Sequence, residues 1–208
     1  MKRPTAETLG LVETRTVVQG VRLMDRMLKA APVELLRGAS ICSGRYMIQV
    51  AGLQADVEEA LSEAKGTDPA PVDVRILPRV SPEVITALKK RLPLPEGAAL
   101  GMVESRKAVS GIAAADAAVK KAAVILARLA VANGINGKSY LVVGGSVSAV
   151  EEAVEAAAIT LGKELLDRLV LPNPDPGTVR ALCPPGSLVS DRNTGSLVSD
   201  RTAGLKEI

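Results

Sequence analysis

Cys42 and Cys183 are the side chains best suited to nucleophilic or metal-binding chemistry in this 208-residue sequence, which contains no histidine. The lack of histidine excludes serine triads, cysteine–histidine nucleophile pairs and metal sites with histidine ligands. A lone cysteine is usually a small buried apolar residue, but Cys42 directly precedes Ser43 and Gly44 in a corner poorly suited to a core. Cys183 lies in a Leu-Cys-Pro-Pro-Gly segment and is interpreted as structural or incidental. Because the sequence has no Cys-x-x-Cys pair, a cysteine-ligated cluster requires several chains.

Two other motifs resemble functional sites, but the sequence around them does not support those functions. Residues 132–139 approach a phosphate-binding loop, yet Ala132 replaces its first glycine and a strand-like segment follows where a helix is required. The pairs Glu58-Glu59 and Glu151-Glu152 lie in the first turns of predicted helices, where the helix dipole favours acidic residues. We interpret them as solvated faces rather than as a general acid and base. No catalytic residue is predicted, and the chain is not expected to be an enzyme.

The apolar pattern predicts the elements that position Cys42. The helix that precedes its hairpin rests on apolar residues recurring at helical spacing. These are Val17, Val21, Met24, Leu28 and Ala31. The predicted elements are strands at 8–14, 33–41, 46–50 and 72–77 and helices at 16–31, 57–64 and 82–91. This order of strand, helix, strand, strand, helix, strand, with a terminal helix, resembles the split βαβ, ferredoxin-like arrangement of the α+β class.

The first unit of the chain is repeated. The stretch LGLVETR at 9–15 returns as LGMVESR at 100–106, and this shift of 91 residues leaves 12 of 28 aligned positions identical. Offsets of 93 and then 94 align the remainder, so only small insertions separate the copies. The sequence therefore predicts two tandem domains, at 8–91 and 99–182, joined by a short proline-rich linker at 92–98.

Composition limits the possible core and partners. Apolar residues make up 47%, with no Phe, no Trp and two Tyr, so the core must be built from Ala, Val, Leu and Ile. Each domain is small for a self-sufficient core and is expected to bury surface against its twin and against other chains. The net charge of +3 is too balanced to indicate nucleic acid or an anionic membrane as partner. Without a signal-peptide pattern or a membrane-spanning apolar run, a cytoplasmic protein with reduced thiols is expected.

The last segment of the sequence differs from both domains. GSLVSDR occurs at 186–192 and again at 195–201, with one Leu-Val pair in each copy. Such a composition cannot bury enough apolar area to offset the entropy of ordering the chain. We therefore predict a flexible C-terminal tail at 183–208.

Several separated motifs recur in the same order in both halves. They are the LG(L/M)VE(T/S)R strand, an Asp and a Lys four residues apart on the next helix, and a Gly-basic corner before a Val-x-Gly strand. In this combination the chain resembles bacterial microcompartment shell proteins over about 8–90 and 99–182. The resemblance implies two tandem ferredoxin-like shell domains. Tandem members of that family form homotrimeric pseudohexamers, which tile edge to edge with other shell proteins around an enzyme core.

The resemblance also implies a site, because in this family the turn between the two central strands lines a pore on the symmetry axis. The turns concerned here contain Ile41, Cys42, Ser43 and Gly44 in the first domain and Ile135, Asn136 and Gly137 in the second. Three copies of Cys42 would face one another in a trimer, and three thiolates suit an iron–sulfur cluster or zinc. The layout is similar to that of tandem shell proteins from propanediol-utilisation compartments, which hold a 4Fe–4S cluster through one cysteine per chain. Cys42 is thus the expected metal ligand. The resemblance implies that the cluster transfers electrons across the shell, with encapsulated redox enzymes as partners.

Three basic residues are expected at tile-to-tile contacts. By resemblance Lys29 and Lys120 are edge lysines, although either could be an ordinary solvated helix residue. Arg79 is a further candidate for an edge contact. The case for it is weaker, because the equivalent residue of the second domain is the uncharged Asn173. Gly10 and Gly20, with their copies Gly101 and Gly111, are interpreted as packing glycines rather than ligand contacts.

Two alternatives to a cluster-holding tile remain. Without a cluster, the same turns would form a pore for polar metabolites, with backbone N–H groups at Ser43 and Gly44 and with Arg45 and Lys138 favouring anions. Outside the family, a small-ligand-binding regulator built on duplicated ferredoxin-like domains predicts a discrete dimer instead of a trimer.

Overall fold

The computed structural model describes residues 8–132 and 134–183. The predicted C-terminal tail lies outside these residues from position 184 onward. The first domain contains β1 (Thr8–Thr14), α1 (Val17–Ala30), β2 (Glu34–Ile41), β3 (Arg45–Gly52), α2 (Gln54–Ser62), β4 (Asp73–Pro78) and α3 (Pro82–Lys89). The second contains β5 (Ala99–Ser105), α4 (Ala108–Lys121), β6 (Ile125–Val131), β7 (Ser139–Gly145), α5 (Val147–Leu161), β8 (Leu165–Leu171) and α6 (Pro176–Leu182).

Each domain forms one four-stranded antiparallel sheet, with the strand orders β2-β3-β1-β4 and β6-β7-β5-β8. The first strand of each domain is therefore central, between the third and fourth strands. Both second strands carry a register shift at the equivalent place, between Leu35 and Arg37 and between Leu126 and Arg128. The predicted ferredoxin-like α+β fold and its duplication are confirmed.

Glycines at the start of each domain allow helices to pack closely on the sheet. A Cβ atom on Gly10 would lie 2.8 Å from Val57 Cγ1, and one on Gly101 would lie 2.7 Å from Val150 Cγ1. Since Cβ atoms essentially never approach other atoms this closely, neither position accepts a side chain without movement. The interpretation of these residues as packing glycines is confirmed.

The face of α1 that packs on its own sheet differs from the one expected. The buried residues of this helix are Gln19, Gly20, Leu23 and Met27. Of the predicted stripe, Val17, Val21 and Leu28 are instead 40%, 46% and 37% exposed. The helical period was correct, but periodicity alone does not identify the surface against which an apolar face packs.

One of the apolar clusters of the molecule extends across both domains. A single cluster joins Leu9, Met47 and Val84 of the first domain to Ile112 and Leu126 of the second. Helix α3 of the first domain packs against β6 and α4 of the second. The linker continues this contact, because the N–H group of Leu92 donates to the carbonyl oxygen of Ala127 at 2.8 Å. We call this contact between α3 and the pair β6–α4 the in-chain seam. The expected burial of each small domain against its twin is confirmed.

Candidate functional site

Two hairpin turns meet beside the in-chain seam. The first loop, residues 41–45, leaves β2, makes one turn of 3-10 helix at Cys42–Gly44 and enters β3. The second loop, residues 134–138, joins β6 to β7. Gly44 and Gly137 hold the equivalent corner with φ values of 70° and 76°, a left-handed conformation that glycine adopts without steric cost.

The Cys42 thiol lies against the second loop. The N–H group of Gly134 donates to Cys42 Sγ at 3.1 Å, across 92 residues of sequence. Burial alone would raise the pKa of the Cys42 thiol, but the backbone N–H groups of Asn136, Gly134, Ile135 and Gly137 together outweigh it and lower that pKa. The loop thus favours a thiolate on a side chain that remains partly accessible. A thiolate is the form of cysteine that binds metals.

The two loops are not chemically equivalent. Ile135 occupies the position of Cys42 in the second copy, so each chain offers one thiol to the junction of the loops. Ile41 is buried at 6% exposure, whereas Gly44 and Asn136 are exposed. Neither loop contains an Asp or a Glu, so the side chain that the loops bring to the junction for metal binding is the Cys42 thiol.

The basic residue of each loop is paired inside its own domain. Arg45 Nη1 lies 2.7 Å from Glu13 Oε1, and Lys138 Nζ lies 3.2 Å from Glu104 Oε1. The two glutamates therefore offset the positive charges of Arg45 and Lys138, which the sequence analysis expected to attract anions to the pore. Sequence reasoning missed them, although the Glu and the basic residue are kept together in both copies.

The donor set of one chain is compatible with a cluster shared between chains. Among the described residues, no group of three or more His, Cys, Asp or Glu side chains is placed to hold a metal ion. Cys42 supplies one soft thiolate, and N–H groups directed at cysteine sulfur are among the features that tune iron–sulfur clusters. The residues present therefore fit an iron–sulfur cluster, provided that other chains supply the remaining thiolates.

Cys183 lies in a different environment. It is 3% exposed and packs with Leu100, Ala127 and Val142. Burial raises the pKa of its thiol, which favours the neutral form. This packing supports the structural interpretation of Cys183.

The three predicted edge residues lie outside the two loops, with Lys29 on α1, Lys120 on α4 and Arg79 between β4 and α3. Lys29 is exposed and its Nζ lies 2.6 Å from Asp25 Oδ2, whereas Lys120 pairs with Asp116 at the in-chain seam. Asp116 also accepts the N–H group of Ser81 at 2.8 Å, a contact that sequence reasoning missed. Arg79 adopts a left-handed backbone conformation with φ of 51°.

Comparison with known proteins identifies related sequences. The family model described as the BMC domain matches twice, over residues 8–80 and 99–174. The chain is 36% identical over 174 residues to the bacterial microcompartment shell protein PduT of Citrobacter freundii, covering 81% of this chain and 94% of that protein. It is 30% identical over 168 residues to the carboxysome assembly protein CcmO of Synechocystis sp., covering 74% of this chain and 56% of that protein.

Solved structures resemble the chain in the same way. A microcompartment protein from Desulfitobacterium hafniense DCB has a TM-score of 0.78 and 34% identity, over 85% of this chain and 99% of that one. A fused permuted hexameric shell protein from the RMM microcompartment has a TM-score of 0.55 over 75% of this chain and 84% of that one. Its 20% identity supports the fold alone. Within residues 8–132 and 134–183, no helix is long and apolar enough to cross a membrane.

Proposed function

Because the chain belongs to the BMC-domain family of bacterial microcompartment shell proteins, we propose that three copies form a pseudohexameric tile whose pore holds an iron–sulfur cluster through Cys42. The observation that carries the proposal is the position of the Cys42 thiol. It is partly accessible, lies at the junction of two domains and faces backbone N–H groups that favour its thiolate.

A trimer is supported by the unequal burial of equivalent helices. On α1, Val18 and Val21 are 67% and 46% exposed. Their counterparts on α4, Val109 and Ile112, are completely buried. The same holds on the adjoining strands, where Leu35 is 39% exposed and Leu126 is 1% exposed. The first domain therefore exposes the apolar surface that the second domain buries.

The complementary half of such an interface lies at the other end of the chain. Val84 and Ala87 of α3 are completely buried at the in-chain seam. Their counterparts on α6, Thr178 and Ala181, are exposed. Helix α6 of one chain can thus cover α1 and β2 of the next, in the same way as α3 covers α4 and β6.

This arrangement is heterologous, because each chain uses two different surfaces. Heterologous contacts generate a ring when the rotation between chains closes. Two similar domains in each of three chains give six near-equivalent positions around such a ring. We call the contact from α6 of one chain to α1 of the next the between-chain seam.

In such a ring Cys42 occurs three times around the axis and Ile135 alternates with it. The three thiolates would hold the cluster, and the N–H groups of the second loop would orient and stabilise each thiolate. When bound, an iron–sulfur cluster supplies one-electron transfer. A cluster in the pore would connect redox enzymes inside the shell with electron carriers outside it.

The test is anaerobic purification followed by iron and acid-labile sulfide analysis and EPR, on the wild type and on Cys42→Ser. We expect about one cluster for every three chains, and its loss in Cys42→Ser while sedimentation still detects the trimer. Cys183→Ser is the matched control and should retain the cluster, because that thiol is buried away from the loops. Only monomer or dimer in sedimentation would contradict the tile, and an iron-free trimer would contradict the cluster.

A pore without a cluster is the second candidate. The second loop favours it, because Gly134 and Asn136 are exposed there while Lys138 is already paired with Glu104. An iron-free trimer whose reconstituted shells show altered metabolite leakage after Asn136→Leu would support this function. Gln54→Leu is the control, because it removes an exposed side-chain amide from α2, outside both loops.

We further propose that Lys29, Lys120 and Arg79 contact neighbouring tiles. Lys120→Ala should reduce sheet formation in electron micrographs without dissociating the trimer. Lys121→Ala is the matched control, because Lys121 is the adjacent exposed lysine of α4. Equal sheet formation by both variants would contradict the edge role of Lys120.

A further inference from the structure

A hydrogen bond at the in-chain seam fixes where α3 begins against α4. Ser81 is the N-cap residue of α3, and its N–H group donates to Asp116 Oδ1 at 2.8 Å. The other carboxylate oxygen of Asp116 pairs with Lys120. The small residue Ala113 lies one turn before Asp116 on the same helix. Beside Ser81, this part of α4 therefore presents one negative and one positive charge.

The equivalent residues of the between-chain seam carry additional charges. Asp25 and Lys29 keep the ion pair, with Oδ2 and Nζ 2.6 Å apart. Asp175 replaces Ser81 as the N-cap residue, now of α6, and accepts the N–H group of Gly177 at 2.7 Å. Arg22 replaces Ala113. Both Arg22 and Asp175 are exposed in the single chain.

We infer that Asp175 at the start of α6 contacts Arg22 on α1 of the neighbouring chain, and that this charge pair distinguishes the between-chain seam from the in-chain seam. The inference rests on the proposed trimer. By analogy with Ser81 and Asp116, the backbone N–H group of Asp175 reaches the Asp25 carboxylate. That contact brings the Asp175 side chain to the part of α1 where Arg22 lies one turn before Asp25.

The local charge balance supports this pairing. With Arg22, Asp25 and Lys29 together, this part of α1 carries a net charge of +1, and Asp175 brings it to zero. Arg26 does not change this sum, because its Nη2 lies 2.6 Å from Glu63 Oε2 of its own domain. Arg180 is the nearest basic residue on α6 and stands at the position of Thr86 in α3. The substitutions at Arg22 and Asp175 relative to the in-chain seam are of opposite charge and compensate each other, whereas Arg180 adds one positive charge on α6.

This pair gives the two otherwise similar seams different partners. An opposite-charge contact favours the correct neighbour and disfavours a like-charged one, so it contributes more to specificity than to affinity. The apolar surfaces around Val18 and Val21 would supply adhesion, and Asp175 with Arg22 would direct α6 to another copy of the chain.

The experiment measures subunit exchange between unlabelled and nitrogen-15-labelled trimers by native mass spectrometry. Asp175→Ser and Arg22→Ala each introduce the residue found at the in-chain seam, and Ser remains a good N-cap for α6. We expect each single variant to exchange roughly two- to fivefold faster than wild type, as for a partly exposed ion pair. The double variant should exchange no faster than either single one, because the second substitution then removes no remaining pair.

Arg26→Ala is the matched control, since it removes the same charge from the same helix but from a pair within the domain. Combined with Asp175→Ser, it should show no coupling. Additive effects of Asp175→Ser and Arg22→Ala, or slower exchange by Asp175→Ser, would overturn the inference. Absence of trimer in the wild type would instead overturn the proposed function, so the two failures are distinguishable.

Discussion

Helices α1 and α4 are two copies of one element in opposite surroundings. Both have 14 residues and keep the Asp–Lys pair, yet Val21 of α1 is 46% exposed and its counterpart Ile112 of α4 is completely buried. The difference arises because α4 has another domain of the same chain beside it and α1 does not. One duplicated surface is thus buried within the chain, and the other is exposed in the single chain, where the proposed trimer would cover it.

The loops at the seam have diverged in the same manner. The first loop carries Cys42. The second carries Ile135 in its place, and the backbone N–H groups of this second loop lower the pKa of the Cys42 thiol. A duplicated gene can vary one copy of a turn while the other supports it, which a single-domain ring with six identical turns cannot do. In the proposed trimer, three thiols among six turns would be a consequence of this asymmetry.

The largest effect should come from placing a charge on each helix in turn. Ile112→Asp buries an unpaired carboxylate and should lower the free energy of unfolding by about 3 kcal/mol or more. Val21→Asp should change the stability of the single chain by less than about 1 kcal/mol, because the carboxylate reaches water, but should abolish the trimer. Urea unfolding and sedimentation velocity measure the two results.

The comparison of α1 and α4 fails if Val21→Asp still forms trimers. In that case the exposed face of α1 is not covered by a neighbouring chain. Glu59→Gln, on the exposed part of α2, is the control for a change of charge elsewhere on the first domain and should affect neither property.

The second-largest expected effect is a difference between Cys42 and Cys183 in their rates of alkylation. The lowered pKa of the Cys42 thiol makes its thiolate available at a lower pH than for an unperturbed thiol, whereas the Cys183 thiol is buried and its pKa is raised. Iron-free protein treated with iodoacetamide near pH 7 should therefore be modified at Cys42 at least about tenfold faster. Peptide mass spectrometry over a pH series measures both sites, and a faster reaction at Cys183 would contradict the described environments.

Much of this architecture was predictable from sequence, because the repeat gave two independent views of each element. The strands around Gly10 and Gly101 and the turns ending at Gly44 and Gly137 follow from local chemistry and were placed correctly. The face of α1 that packs on its own sheet could not be predicted, since an apolar stripe has the same spacing whether it packs against the same chain or against another. The contact of Gly134 with Cys42 spans 92 residues and depends on how the domains dock. No local sequence pattern predicts that two residues so far apart in the sequence are in contact.

The smallest expected difference concerns the carboxylates behind the two loops. The Glu13 side chain is 5% exposed and bonded to Arg45, whereas the Glu104 side chain is 41% exposed and bonded to Lys138. Glu13→Gln loses a charge-assisted hydrogen bond in a buried place and should cost about 1–2 kcal/mol of unfolding free energy. Glu104→Gln should cost about 0–0.5 kcal/mol, because water screens an exposed pair. Equal losses in urea unfolding would mean that the Glu13–Arg45 pair does not stabilise the first loop more than the Glu104–Lys138 pair stabilises the second.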